Sequence, residues 1–202
     1  MFTISHFPVQ TGHARVSFHD GYLDPRGPQH HCGVDIGSTS GTIIYAAENA
    51  EVVRHCRFGG EIHAGVDHTD RSGNFVILVD VHRHFHAYLH MRDPSNLTPG
   101  QKLNAGSIVG YMGNTGIGRG HGPIHLHFQV FPPFTHAGAD EEYRSLEFTR
   151  IFGRAVNPYD ELERLAHGIS GARFGTSTVA GRQNVRGVVI SPPAAPAAEA
   201  GP

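Results

Sequence analysis

Six short apolar runs mark the middle of the chain: TIIYAA (42–47), EVVRHC (51–56), NFVILVDV (74–81), FHAYLHM (85–91), SIVGYM (107–112) and IHLHFQV (124–130). Each has strand length and is bounded by glycine or polar turn residues, which predicts a mostly β protein with an antiparallel sheet or sandwich core rather than βαβ units. Helical spacing enters only late. EEYRSLEFTRIF (141–152) and DELERLAH (160–167) space their charges helically and offer Leu146, Ile151, Leu162 and Leu165 for docking, so short peripheral helices are expected near the C-terminal part. Beyond Gly168 the pattern thins into polar, glycine-rich sequence in which RGVVI predicts one short strand. The last twelve residues, SPPAAPAAEAGP, have nothing with which to build a core. The expected organisation is an N-terminal extension (1–16), one domain (17–168) and a polar, then Pro/Ala-rich tail (169–202). Two long polar connections, 59–73 and 131–153, are candidates for loops that border a binding face.

Composition narrows the function classes. A chain of 202 residues with 39% hydrophobic content can bury a core without disulfides, and its two cysteines, Cys32 and Cys56, are read as reduced thiols. A formal net charge of -2 gives no electrostatic case for nucleic acid or an anionic membrane as partner. The start, MFTISHFPVQTGHA, has neither a basic nor an apolar signal segment, and no run approaches the roughly 20 apolar residues of a membrane span. Seventeen histidines stand out, and their placement decides what they mean.

Three placements carry chemistry. In GPIHLHFQV, His125 and His127 are two residues apart on a predicted strand, so both imidazoles share one face while Leu126 points into the core. In HHCGVDIG, His31 and Asp35 form H-x3-D. On a straight strand their Cα atoms would be about 13 Å apart, too far for ligand bonds of about 2 Å to one ion, so Gly33 predicts a bend between them. In FHAYLHM, alternation places His86, Tyr88 and His90 on one face opposite Phe85, Ala87 and Leu89, and it does not choose between His86 and His90.

Taken in order, H-x3-D, Y-x-H and H-x-H among glycine-bounded strands resemble the lysostaphin-type, LytM-like zinc endopeptidases of peptidoglycan. The resemblance runs over about residues 17–160 and includes GTIIYAAENAEVV, GNFVILV, PGQKLNAGSIVGYMGNTG and the Asn-Pro segment AVNPYDEL. It implies a catalytic groove on the β core, with His31, Asp35 and His127 as zinc ligands and His90 and His125 as catalytic histidines. It implies a peptidoglycan peptide as substrate and therefore work at the cell wall. Two neutral imidazoles and one carboxylate would leave a coordination position open for water, as catalytic zinc requires. Tyr22 is a further, weaker candidate as an oxyanion donor. Cys32 follows His31 directly, and an extended backbone turns its thiol to the opposite face. A non-catalytic, peptidoglycan-binding or hydrolase-regulating member of the same fold is the alternative. A lipoyl or biotinyl carrier is disfavoured because Lys102 does not occupy a carrier hairpin turn.

Overall fold

The computed structural model describes residues 2–26, 29–56, 72–93, 95–116, 122–133, 155–179 and 181–194. Its strands are β1 (Val16–His19), β2 (Pro25–Arg26), β3 (Gln29–His30), β4 (Val34–Gly37), β5 (Ile43–Tyr45), β6 (Ala50–Cys56), β7 (Asn74–Asp80), β8 (Phe85–Met91), β9 (Lys102–Leu103), β10 (Ile108–Tyr111), β11 (His125–Phe131), β12 (Ala172–Val179) and β13 (Arg182–Ile190). One helix, α1 (Tyr159–Ala166), precedes β12. Nine strands form one sheet in the order β12-β13-β1-β4-β11-β8-β7-β6-β9, with every register antiparallel. The pairs β5–β10 and β2–β3 stand apart from it. The mostly β, antiparallel architecture expected from the apolar runs is the one observed.

The sheet is covered on both faces over its centre, which is why β7 and β8 read as nearly continuous apolar runs. One face carries Val34, Ile36, Val76, Leu78, Tyr88, Leu126, Phe128 and Val130. Against it lie Ile4, Phe7 and Val9 of the N-terminal segment, Ile44, Val109, and Tyr159, Leu162 and Ala166 of α1. Each large apolar side chain buried here contributes on the order of 1.5–3 kcal/mol. The other face carries Phe75, Ile77, Phe85, Ala87, Leu89 and Phe131 with Cys32 and Ala155. Asp35, between fully buried Val34 and Ile36, points to this second face, and so do His125 and His127 on either side of fully buried Leu126.

One region goes beyond the sequence reading. The stretch after Gly168, from which one short strand was expected, supplies two, β12 and β13. The latter pairs with β1 from Val16↔Ile190 to His19↔Gly187. Arg186 of β13 ties this hairpin to α1: its guanidinium lies 4.7 Å from the Tyr159 ring centre and reaches Asp160 (2.8 Å), Glu163 (3.2 Å) and Asp20 (3.3 Å). Helix α1 itself starts at the predicted place, with Asp160 and Glu161 in its first turn and Arg164 in its last, each sign matched to the helix dipole. The expected helix over 141–152 and nearly all of the two long connections lie outside the described residues. No helix among the described residues is long and apolar enough to cross a membrane.

Candidate metal centre

Strands β4 and β11 are neighbours, and their register sets Asp35 opposite His127 and Gly37 opposite His125. His31 enters from the segment just before β4 and is 6% exposed. Gly33 lets that segment press onto β11. A Cβ there would lie 2.5 Å from the Phe128 carbonyl oxygen and 2.9 Å from His127 Nε2, so it is close approach that requires glycine. The result is a tight convergence: His31 Nε2 is 3.0 Å from Asp35 Oδ1 and 3.0 Å from His127 Nδ1, which is 2.9 Å from the same carboxylate oxygen. One donor atom from each of the three residues lies within 4.8 Å of the others, a grouping that could hold a metal ion.

His90 reaches the centre by a route that strand alternation does not predict. Asn74 pairs with Met91 but Val76 pairs with Tyr88, so Leu89 and His90 together oppose Phe75 in a β-bulge. At His90 φ is +64°, a left-handed conformation that reverses the side-chain parity. His90 therefore lies beside His125 (ring centres 4.9 Å apart) and His127 (6.0 Å), on the second face. The expectation that Tyr88 and His90 share a face is thus corrected. Tyr88 is fully buried on the opposite face, where its hydroxyl accepts the Ala47 N–H at 2.9 Å. His86 is buried on that face too, with Nε2 3.2 Å from Asp80 Oδ2, so of the two it is His90 that lies beside the cluster.

Backbone carbonyls orient three of the imidazoles. Nδ1–H of His31 donates to Gly21 (2.8 Å), that of His90 to Thr115 (2.9 Å) and that of His125 to Pro123 (3.0 Å). For His90 this leaves Nε2 with a lone pair, the form a proton acceptor needs, whereas His31 Nε2 faces Asp35 Oδ1 and His127 Nδ1. Burial would raise the Asp35 carboxyl, but hydrogen bonds from His127 and His31 outweigh it and hold the group well below the usual carboxylate range. Arg26 adds a contact of 2.9 Å to the outer oxygen, Oδ2. His90 is pushed down to about 3, first by burial and then by the neighbouring His127 and His125. Burial also lowers His125. Both rings are accordingly neutral at neutral pH.

The remaining candidates fall elsewhere. Cys32 is a buried free thiol packed in the second-face cluster, its Sγ–H directed to the His30 carbonyl at 3.2 Å, and burial raises its pKa, so no thiolate competes at the centre. His30 is exposed, with Nδ1 3.2 Å from the Leu23 carbonyl oxygen. The Tyr22 hydroxyl donates to the Ala155 carbonyl, which makes it a packing residue. His63 and His121 lie outside the described residues. Sequence reasoning missed the supports: Arg26, Thr115 and the carbonyls of Gly21 and Pro123. Backbone acceptors leave no residue-type signal, so no pattern could have found them.

The face of the antiparallel sheet thus carries a three-donor cluster that could hold a metal ion, with two more imidazoles alongside. The chain belongs to peptidase family M23, whose model matches residues 29–139. The fold is shared with solved structures. A Ruminococcus gnavus protein described as a glycyl-glycine endopeptidase, LytM, is 19% identical with a TM-score of 0.61 over 82% of this chain and 61% of its own. Lysostaphin of Staphylococcus simulans, an antimicrobial peptidase, is 20% identical with a TM-score of 0.52 over 84% of this chain and 58% of its own. Its catalytic domain alone is 22% identical with a TM-score of 0.50 over 72% and 88%. This chain thus spans about three fifths of the first of these proteins. The resemblance read from the ordered motifs holds.

Proposed function

We propose that the chain is a zinc-dependent endopeptidase that hydrolyses peptide bonds of bacterial peptidoglycan. The observation that carries the reading is the convergence of His31, Asp35 and His127 beside the paired neutral rings of His90 and His125. The donor set suits zinc: two imidazoles and one carboxylate, with His31 aimed by the Gly21 carbonyl. His31 Nε2, Asp35 Oδ1 and His127 Nδ1 would hold the ion. Bound there, zinc supplies Lewis acidity that polarises a carbonyl and lowers the pKa of water toward about 7. Amide hydrolysis further needs a base for the water and an acid for the leaving amine. His125 and His90 are suited to both, because each has its Nδ1 proton engaged by a carbonyl and an Nε2 that can take up a proton and return it, that of His125 lying 3.5 Å from Asp35 Oδ1. Membership of family M23 and likeness to a glycyl-glycine endopeptidase and an antimicrobial peptidase support a cell-wall peptide as substrate.

The test is a metal assay joined to incubation with purified sacculi, reading newly released amino groups. The unaltered protein should bind close to one zinc and release amines. His127→Ala should lose both. His125→Ala should keep the metal and lose the release. Less than about half an equivalent of zinc, or undiminished release by His127→Ala, refutes the proposal. Zinc binding without release would point to a non-catalytic binder of the same fold.

A further inference from the structure

The second face of the sheet does not end at the metal centre. It continues across β1 and β13 to β12, and there a groove of about 570 Å³ is lined by Arg15, Ser17 and His19 on one side and Arg173, Thr176 and Ser177 on the other. The register makes it contiguous with the centre. Ser17 pairs with Gly37, which pairs with His125; two residues further along, His19 falls level with Asp35 and His127. A Cβ at Gly21 would lie 3.2 Å from His19 Nε2 and 3.3 Å from His31 Nδ1, so the ring that closes one end of the groove borders the buried His31. Glycines pave the floor: His19 pairs with Gly187, which pairs with Gly175, and a Cβ at Gly175 would meet nothing within 4 Å. A substrate backbone could therefore lie directly on the sheet.

The charge of the groove is specific. Among the described residues Arg26, Arg92, Arg164, Arg182 and Arg186 each pair with a carboxylate, whereas Arg15 and Arg173, both exposed, pair with none, and no acidic residue lines the groove. Two unpaired guanidiniums in an acid-free groove, in a chain of net charge -2, complement a carboxylate. The hairpin is held in place by Arg182, which pairs with buried Asp24 in the loop beside the centre. Neither β1 nor the hairpin falls within residues 29–139, the part matched by the family model.

We infer that this groove is a subsite for a carboxylate-bearing segment of the peptide substrate, held by Arg15 and Arg173. Strand spacing of about 4.8 Å puts β12 about 14 Å from β4, and an extended peptide covers that span in about four residues. The bound carboxylate thus belongs about two to four residues from the scissile bond. The inference rests on the peptidase reading for its occupant, yet it can be tested without turnover.

The experiment measures binding of a fluorescent penta-glutamate peptide and its penta-glutamine counterpart to the full zinc-loaded chain, and, separately, the kinetics on sacculi. Two variants are compared with the unaltered protein: R15Q/R173Q, and G175F, whose ring enters open space and fills the groove. The glutamate peptide should bind the unaltered protein roughly fivefold to tenfold more tightly than the glutamine one, and both variants should lose that preference with zinc content unchanged. On sacculi KM should rise by a similar factor while kcat holds, and amidating the free carboxylates of the sacculi should remove the difference between unaltered protein and variants. Equal binding of the two peptides by the unaltered protein, or variants with undiminished preference, overturns the subsite. Because the binding arm needs no cleavage, failure of the subsite is told apart from failure of the peptidase reading.

Discussion

Gly33→Ala perturbs the centre without touching any donor atom. The added Cβ would lie 2.5 Å from the Phe128 carbonyl oxygen and 2.9 Å from His127 Nε2, where ordinary contact begins near 3.4 Å. Neither neighbour is the tip of a flexible chain. The Phe128 carbonyl belongs to β11, which is hydrogen-bonded between β4 and β8, and the His127 ring is held at 2.9 Å by Asp35 and 3.0 Å by His31. Relief therefore requires β4 to move from β11 or the imidazole to leave its partners. Overpacking of this kind costs about 2–3 kcal/mol, which for a chain of this length lowers Tm by roughly 4 to 12 °C. The same movement separates Asp35 from His127, so zinc stoichiometry should fall together with Tm. Gly37→Ala, four residues along at the far end of β4, is the control. There the nearest atoms are 3.6 Å off, ordinary contact, and Tm should stay within about 3 °C of the unaltered protein. Calorimetric melting and metal analysis of dialysed protein measure both quantities. A Gly33→Ala protein with unaltered Tm and a full equivalent of zinc would refute the close-approach argument.

Three further outcomes are expected. Tyr88→Phe removes a fully buried hydroxyl and leaves the Ala47 N–H without its acceptor, so chemical denaturation should show a loss of about 1–3 kcal/mol, and a neutral result would refute the pairing. Thr115→Val strips the hydroxyl that donates to the Met91 carbonyl at 2.6 Å and accepts the Asn74 N–H at 2.9 Å, which together brace the bulge carrying His90. Release from sacculi should fall about tenfold with zinc content unchanged, since a misplaced proton donor slows the reaction without disturbing the ligands; an unchanged rate would show that the brace is dispensable. His125 and His90 both titrate below the ordinary imidazole value of about 6.5, chiefly through burial, so both rings remain neutral proton acceptors as the pH falls through it. The acid limb of kcat/KM should accordingly lie below pH 6.5, and a limb at or above that pH would contradict the burial argument.

Much of the fold was legible in the chain. FHAYLHM became β8 without change of boundary, NFVILVDV became β7 to within one residue, and DELERLAH became α1 to within one residue. These succeed because period and length are local properties: two covered faces demand continuous apolar runs, and an acidic first turn suits a helix start. The hairpin of β12 and β13 was less legible, because most of β12 is exposed on both faces and carries no alternation to read.

The candidate centre divides along the same line. The chain alone determined that His125 and His127 share a face, since strand pleating needs no partner, and that Gly33 must let the backbone do something between His31 and Asp35. Tertiary structure alone decided that residues 92 and 96 positions away from His127 meet it at hydrogen-bond distance, because that depends on β4 lying beside β11. It also decided that His90, rather than His86, stands next to His125. One extra residue in β8, accommodated only through pairing with β7, reverses the parity that the sequence pattern assumes, and no local rule reveals where a strand will bulge.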